Sequence, residues 1–232
     1  MGCGRMMDEH TRDRFETAER SSLKDQAYQQ IRKALMVGEL KPGQRLSGRG
    51  IAEQLGTSLT PVREALLQLV AEGVLETRMG YSITVPHPKR AVYTELRDIR
   101  VEVEGLGAAR AALAIGTAGI VELAVTHDRL VQAKNAGDFG AALRHNEAFH
   151  LGLARESGMP RLFRAVESLW TQSGPFLNFL FNGPECWAVL GAQHCHLKVL
   201  DALRLRDAAS ARAAIVEDIV SGGAELMVRL PE

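Results

Sequence analysis

The sequence predicts a mostly α-helical chain with one short β-hairpin about a third of the way along its 232 residues. Apolar residues recur at helical spacing in successive blocks, and glycine or proline separates the blocks. Two short β-like runs, 74–77 and 81–85, are joined by Arg78-Met79-Gly80 and are typical of a hairpin. After Pro88 only helical patterns remain. With 46% hydrophobic and 24% charged residues, the chain is apolar enough to form a packed core.

Three helical patterns precede the hairpin. The first has Ser21 or Ser22 as its N-cap. Its apolar residues follow helical spacing: Leu23, Ala27, Ile31, Ala34 and Leu35. The Lys-Pro-Gly stretch at 41–43 predicts a turn, because proline fixes φ and glycine permits a positive φ. A short helix is then predicted over 48–55 and a longer one over 59–71.

The chain divides into three predicted regions. Residues 1–20 are polar and lack periodicity, so we expect them to be disordered. Residues 21–86 form a first domain, which ends where Pro86 and Pro88 interrupt the chain. Residues 87–232 form an antiparallel bundle of six to seven helices. The predicted separators of these helices are Gly116, Gly137, Gly158, the stretch 174–183 and Arg206.

Charge, cysteine content and hydropathy narrow the class of protein. The net charge is zero, and residues 20–85 carry nine Lys/Arg against six Asp/Glu, a net of +3 that permits nucleic-acid binding without demonstrating it. Three cysteines without a close spacing pattern argue against a disulfide framework and for a reducing compartment. The apolar stretch 111–125 is too interrupted to span a bilayer, and the polar start shows no secretory signal. We therefore expect a cytoplasmic protein without a membrane partner.

The order of the first elements predicts a winged helix-turn-helix, in which one helix enters the major groove of DNA. Residues 48–55 would form the bracing helix and 59–71 the recognition helix. Hydroxyl and N–H groups at the start of the recognition helix suit phosphate contacts, helped by the helix dipole. The predicted DNA-contacting residues are Arg45, Arg49, Thr57, Ser58, Thr60, Arg63, Arg78 and Gly80. A lone surface arginine is usually only solvated, so the arrangement carries this prediction.

Two runs in this first domain resemble the GntR family of bacterial regulators. Residues 38–46 read G-E-L-K-P-G-Q-R-L, and residues 60–66 read T-P-V-R-E-A-L, in the order typical of that family. Gly48-Arg49-Gly50 departs from the acidic-Arg-acidic run common there. Leu59 stands where the family usually has a DNA-contacting arginine. The resemblance implies operator binding, and the loss of that arginine is expected to change operator affinity or sequence.

The helical region contains a second group of polar residues. Asn146 and His150 are four residues apart and share a helix face. His196 and Asp218 follow on later helices, and His194 is expected to point to another face than His196. By themselves, such histidines are more often core or surface residues than ligands.

The same region resembles the FCD effector domain of the FadR subfamily. The resemblance rests on Arg100, Glu104, Ala108, Phe149-His150, His196, Ala202, Asp207 and Ala211. Many FCD domains bind a divalent metal through one Asp and three His, and the corresponding positions here are Asn146, His150, His196 and Asp218. Asn146 stands in place of the Asp and Asp218 in place of the third His, so the resemblance implies a metal site of two His and two oxygen ligands. Imidazole and carboxylate ligands suit Zn²⁺, Ni²⁺ or Mn²⁺. The alternative is a metal-free pocket in which these groups hydrogen-bond one another or a ligand.

The resemblance also implies an effector. Members of this family respond to small organic acids, sugar acids or fatty-acid derivatives, and Arg100 matches an arginine that would pair with a carboxylate. The alternative for Arg100 is a salt bridge to Glu104, one helical turn away.

These features predict a homodimeric regulator, and not an enzyme, that reads a palindromic double-stranded DNA operator and responds to a small carboxylate. Two other functions stay open. One is a metal-dependent enzyme that activates water at the His150/His196 site, although no general base or nucleophile accompanies the pair. The other is an architectural DNA binder without a ligand, which the near-neutral charge disfavours.

Overall fold

The computed structural model describes residues 22–36, 38–78, 82–180 and 193–231. These residues are mostly helical with one small sheet, which confirms the predicted fold class. The segment 1–20 and the wing residue Gly80 lie outside the described residues. No helix of the described ranges is long and apolar enough to cross a membrane.

The N-terminal part is a helix-turn-helix with a small sheet. Its elements are α1 (Leu23–Met36), β1 (Arg45–Leu46), α2 (Gly48–Gln54), α3 (Leu59–Ala71), β2 (Glu76–Arg78) and β3 (Ser82–Thr84). Ser22 caps α1, because its Oγ accepts the Asp25 N–H at 3.1 Å while the Asp25 carboxylate accepts the Ser22 N–H. The apolar faces of these helices and strands pack into one shared core.

The sheet has one more strand than the predicted hairpin. Its antiparallel order is β1-β3-β2, and Leu46 and Thr77 both lie opposite Ile83. Strand β1 has only two residues, too few to show an alternating pattern in the sequence. It forms beside the predicted turn, where Gly43 has a φ of +77° and donates its N–H to the Val85 carbonyl at 2.9 Å.

The C-terminal part is a helical bundle. Among the described residues it contains α4 (Arg90–Ala114), α5 (Thr117–Asn135), α6 (Phe139–Glu156), α7 (Pro160–Leu180), α8 (Gln193–Arg204) and α9 (Ala208–Arg229). Helix α4 is central, since it lies against α6, α7, α8 and α9. Their shared core is built from small and aliphatic residues around Phe149.

The helix break predicted over 174–183 is wrong for 174–180, whereas 181–183 lie outside the described residues. Helix α7 continues through Gly174 and Pro175 to Leu180. A Cβ at Gly174 would lie 2.7 Å from the Met36 sulfur, so this glycine permits the close approach of α1 and does not end the helix. The other predicted separators do lie between helices: Gly116, Gly137, Gly158 and Arg206.

Candidate functional site

Four helices of the bundle place charged and polar side chains in its interior. Arg100 and Glu104 come from α4, one turn apart on its inward face. His150 comes from α6, His196 from α8 and Asp218 from α9. Each of the five residues is at most 6% exposed. Buried charges at this depth must be paired to be stable.

Glu104 is the centre of this group. Its Oε1 accepts a hydrogen bond from Arg100 Nε at 2.6 Å, and its Oε2 lies 2.6 Å from His150 Nδ1. Trp170 Nε1 donates to the same Oε2 at 3.4 Å. On the other side of the imidazole, His150 Nε2 lies 3.1 Å from Asp218 Oδ2. His150 therefore bridges two carboxylates.

The pKa values fit an ionic network. Burial would raise the pKa of Glu104, but Arg100 and His150 outweigh it and hold that pKa at about 2. Burial would lower the pKa of His150, but Glu104 and Asp218 outweigh it and raise that pKa to about 9. With His150 protonated, the two cations balance the two carboxylates, which is the condition under which buried charges are tolerated.

His196 lies beside this network and is neutral. Its ring stacks on Phe149 with centroids 3.8 Å apart and an interplanar angle of 9°. Burial lowers its pKa to about 3, although Asp218 opposes that shift. Its Nε2 lies 3.8 Å from Asp218 Oδ1, too far for a hydrogen bond. Both ring nitrogens of His196 and the Oδ1 atoms of Asp218 and Asn146 are buried without a hydrogen-bond partner.

These orphaned atoms fit a divalent cation. One ligand atom from each of His150, His196 and Asp218 lies within 4.8 Å of the others. Glu104 accepts the hydrogen bond of His150 Nδ1, which leaves Nε2 as the ligand atom and orients the ring. Two imidazoles and a carboxylate are a donor set that suits Zn²⁺, Ni²⁺ or Mn²⁺. Asn146, the fourth predicted ligand, lies one turn before His150 on α6. The side chain of His194 lies outside the described residues.

Arg100 forms the salt bridge to Glu104 that is the alternative to a contact with a carboxylate effector. Besides its bond to Glu104, the guanidinium lies over the Trp170 ring, 4.2 Å from the centroid. Sequence reasoning missed Trp170 and also His127, which is 4% exposed, with its ring centroid 5.6 Å from that of His196. The signal for His127 was its place on the apolar face of α5, four residues after Leu123.

The predicted DNA-contacting residues are distributed over the solvent face of the N-terminal part. Ser58, Thr60 and Arg63 are exposed along the first turns of α3. Arg45 and Arg49 are also exposed, on β1 and α2. These residues are open to solvent.

Thr57 and Arg78, which are also predicted to contact DNA, are not both exposed and free of partners. Thr57 is half-buried, and its Oγ1 is buried without a hydrogen-bond partner. Arg78 is exposed on β2 and pairs with Glu76 of the same strand, with Nε 2.8 Å from Oε1.

Helix α1 joins the N-terminal part to the bundle. Arg32 forms an ion pair with Glu147 of α6 and donates its Nε–H to Thr171 Oγ1 of α7 at 2.6 Å. One turn further, Met36 packs into a buried cluster with Trp170 and Val166. The helices that hold His150 and Trp170 therefore also hold α1.

Comparisons with known proteins agree with both parts of this architecture. Residues 23–85 match the family model described as bacterial regulatory proteins, gntR family, and residues 95–220 match that of the FCD domain. The HTH-type transcriptional regulator McbR of Escherichia coli K12 is 35% identical over 199 residues, which are 84% of this chain and 89% of McbR. The chain belongs to the gntR family. Its FCD domain is that of the FadR-type members, and it is a transcriptional regulator.

Solved structures show the same relation. The E. coli McbR/YncC structure superposes with a TM-score of 0.83 at 33% identity and covers 88% of this chain and 97% of that one. A GntR-type structure from Rhodococcus sp. RHA1 superposes with a TM-score of 0.73 at 21% identity, covering 90% and 99% of the two chains, and supports the fold.

The two departures from the gntR pattern meet in space. A Cβ at Gly48 would lie 3.1 Å from Leu59 Cδ1, so the start of α2 accommodates the leucine at the start of α3. Leu59 still keeps 41% of its surface exposed. The gntR-type surface of this chain therefore presents an apolar group where the family usually has an arginine.

Proposed function

We propose that this regulator binds a palindromic DNA operator as a homodimer, and that a divalent metal and a small carboxylate effector control its operator affinity. Residues 21–86 would contact DNA, and residues 87–232 would bind the effector. The observation that carries the regulatory part is the set of buried, unpartnered ligand atoms on His196, Asp218 and Asn146. A buried polar atom without a partner is costly, so such a set indicates a bound group.

A bound metal would give this buried group of side chains affinity for an anion. In the ionic network, Arg100 and protonated His150 balance Glu104 and Asp218. A divalent ion would add two positive charges, and His150 would lose one proton to become a ligand. The group would then carry one net positive charge, which favours an organic acid or sugar acid. Arg100 would supply a bidentate partner for it if Glu104 yields one of its contacts.

The contacts of α1 would link this buried group to the DNA-binding part. Glu147 lies three residues before His150 on α6, and Thr171 directly follows Trp170 on α7. Both hold Arg32 of α1. A ligand that binds more tightly to one arrangement of α6 and α7 than to another would shift the equilibrium towards the position of α1 that goes with that arrangement. The size of the shift is limited by the difference in binding free energy between the two arrangements.

The DNA contacts can be tested at one residue. In fluorescence anisotropy with the DNA upstream of the gene for this protein, we expect Arg63→Ala to weaken binding and, if Arg63 contacts phosphate, to reduce the salt slope by about one. Arg129→Ala, an exposed arginine on α5, serves as the matched control. Normal operator binding by Arg63→Ala would contradict the proposed surface.

Leu59 carries a prediction about operator sequence. An exposed leucine at the start of a recognition helix suits contact with a thymine methyl group. Leu59→Arg should therefore shift preference from A·T towards G·C at one position of each half-site in a selection from randomised operators. An unchanged preference would remove Leu59 from the base contacts.

The metal can be tested without DNA. Isothermal titration of chelator-treated protein with Zn²⁺ should show one site per chain, and His196→Ala should lose it. His145→Ala changes a histidine of α6 outside the buried group and should bind as the wild type does. If His196→Ala bound Zn²⁺ normally, the proposed ligand set would be wrong.

A screen of small carboxylates by thermal shift, with and without Zn²⁺, then tests the effector class.

A further inference from the structure

His127 is a buried histidine outside the proposed ligand set. It lies on α5, whereas His150, His196 and Asp218 come from α6, α8 and α9. It is 4% exposed, and its Nδ1 is buried with no hydrogen-bond partner among the described residues. It does not belong to the group of three whose ligand atoms lie within 4.8 Å of one another. Its position therefore favours a role behind a ligand over direct contact with an ion.

His196 has the complementary unpartnered atom. Its Nε2 faces Asp218, 3.8 Å from Oδ1, and is therefore the atom that would bind the ion. A neutral imidazole carries one proton, which must then lie on Nδ1. In the part of the chain that the structure describes, His196 Nδ1 is also buried without a partner. A bound ion would therefore leave a buried N–H donor, which is costly unless an acceptor meets it.

The rings of His127 and His196 are close enough for this contact. Their centroids are 5.6 Å apart, and their planes form an angle of 65°. Two imidazoles joined by a linear N–H···N hydrogen bond of about 2.9 Å have centroids about 5.2 Å apart, so a shift of about 0.4 Å would close the gap. Phe149 stacks on His196 and holds the plane of that ring, but it has no lone pair to offer to Nδ1.

His127 is in the protonation state that an acceptor requires. Burial lowers the pKa of His127, although Asp128 opposes that shift. Burial also lowers the pKa of His196 to about 3, although Asp218 opposes it. A neutral His127 keeps a lone pair on one ring nitrogen, and one of its two tautomers places that lone pair on Nδ1. One neutral ring can therefore donate to the other.

We propose that His127 is a positioning residue of the metal site: its Nδ1 accepts the hydrogen bond of His196 Nδ1–H and so directs His196 Nε2 to the ion. Glu104 has the same relation to His150, because it lies at Nδ1 and leaves Nε2 to the ion. Each histidine ligand is then oriented through Nδ1 by another helix, α4 for His150 and α5 for His196. The proposal deepens the proposed function, on which it rests for the bound ion.

Calorimetric titration of chelator-treated protein with Zn²⁺ tests this role. His127→Phe keeps an aromatic ring in the buried position but has no acceptor, so it should weaken Zn²⁺ binding about 10- to 100-fold. His127→Gln keeps an acceptor oxygen and should recover most of that loss. His145→Phe is the matched control, because His145 is a half-buried histidine of α6 outside the buried group. It should bind Zn²⁺ as the wild type does. Thermal unfolding without metal checks that the variants fold.

Nuclear magnetic resonance of protein with ¹⁵N-labelled histidine reads the tautomer directly. In the Zn²⁺-loaded wild type we expect the His196 proton on Nδ1, at the low-field shift of a hydrogen-bonded N–H. In loaded His127→Phe the same proton should move upfield, because it has lost its acceptor. A structural role in packing would not move this signal.

Three outcomes would overturn the proposal: a His196 proton on Nε2 in the loaded wild type, unchanged Zn²⁺ affinity in His127→Phe, or equal losses in His127→Phe and His127→Gln, which would assign His127 to packing. Each of these leaves the metal site itself intact. A wild type that binds no Zn²⁺ would instead contradict the metal of the proposed function, and the role of His127 with it.

Discussion

Arg32→Met removes the cation from the ion pair that joins α1 to the bundle. The side chains of Arg32 and Glu147 are each 11% exposed. Burial already raises the pKa of Glu147, although Arg32 opposes that shift. Without Arg32, the carboxylate would be buried without a cation, and taking up a proton would be its least costly response.

The cost of that proton sets the size of the effect. The ordinary pKa of this carboxyl is 4.5. Each pH unit above that pKa adds about 1.36 kcal/mol to the cost of protonating the carboxylate. The cost is therefore about 3.4 kcal/mol at pH 7 and about 1.4 kcal/mol at pH 5.5. In the variant, the pKa of folded Glu147 lies above that of the unfolded chain, so stability is lost as the pH rises above 4.5. The destabilisation by Arg32→Met should thus be up to about 3 kcal/mol at pH 7 and about 2 kcal/mol smaller at pH 5.5.

Urea unfolding followed by far-UV circular dichroism at the two pH values measures these differences. Arg32→Met/Glu147→Gln lacks both charges and should recover most of the loss at pH 7, because no carboxylate is left unpaired. Arg129→Met, an exposed position, controls for the substitution itself. The same loss at both pH values, or no recovery in the double variant, would refute the reasoning.

Three further predictions concern the interior and the turn. Burial lowers the pKa of His150, but Glu104 and Asp218 outweigh it and raise that pKa to about 9. The free energy of unfolding of chelator-treated protein, measured in urea, should therefore fall by up to about 3 kcal/mol between pH 6.5 and 9. An equally steep fall in His150→Gln would contradict this. Glu104→Gln should weaken Zn²⁺ binding about 10- to 100-fold in calorimetry, and unchanged affinity would remove Glu104 from the support of His150. Gly43→Ala should cost about 1–2 kcal/mol in urea unfolding, because its φ is +77° and the exposed His87 ring near the new Cβ can move away. Gly137→Ala, with φ +78° and open space, should cost about the same, and a clearly larger cost at Gly43 would contradict this account.

Features that depend on a few neighbouring residues were predictable. The capping of α1 by Ser22, the positive φ of Gly43 and the extent of α3 follow from local chemistry and from apolar periodicity. Strand β1 was missed because two residues carry no periodicity. Gly174 was misread because a glycine that ends a helix and a glycine that admits a neighbouring helix look the same in a sequence.

The sequence by itself determined which faces are buried, and it predicted that His150, His196 and Asp218 belong to one site. Periodicity reports that a face is buried, but it does not report which other face it meets. Only the tertiary structure decided that Glu104 lies behind His150 and that Arg32 meets Glu147, 115 residues further along the chain. These pairings depend on how whole helices pack, and packing is set by the sum of many small contacts that no local pattern records.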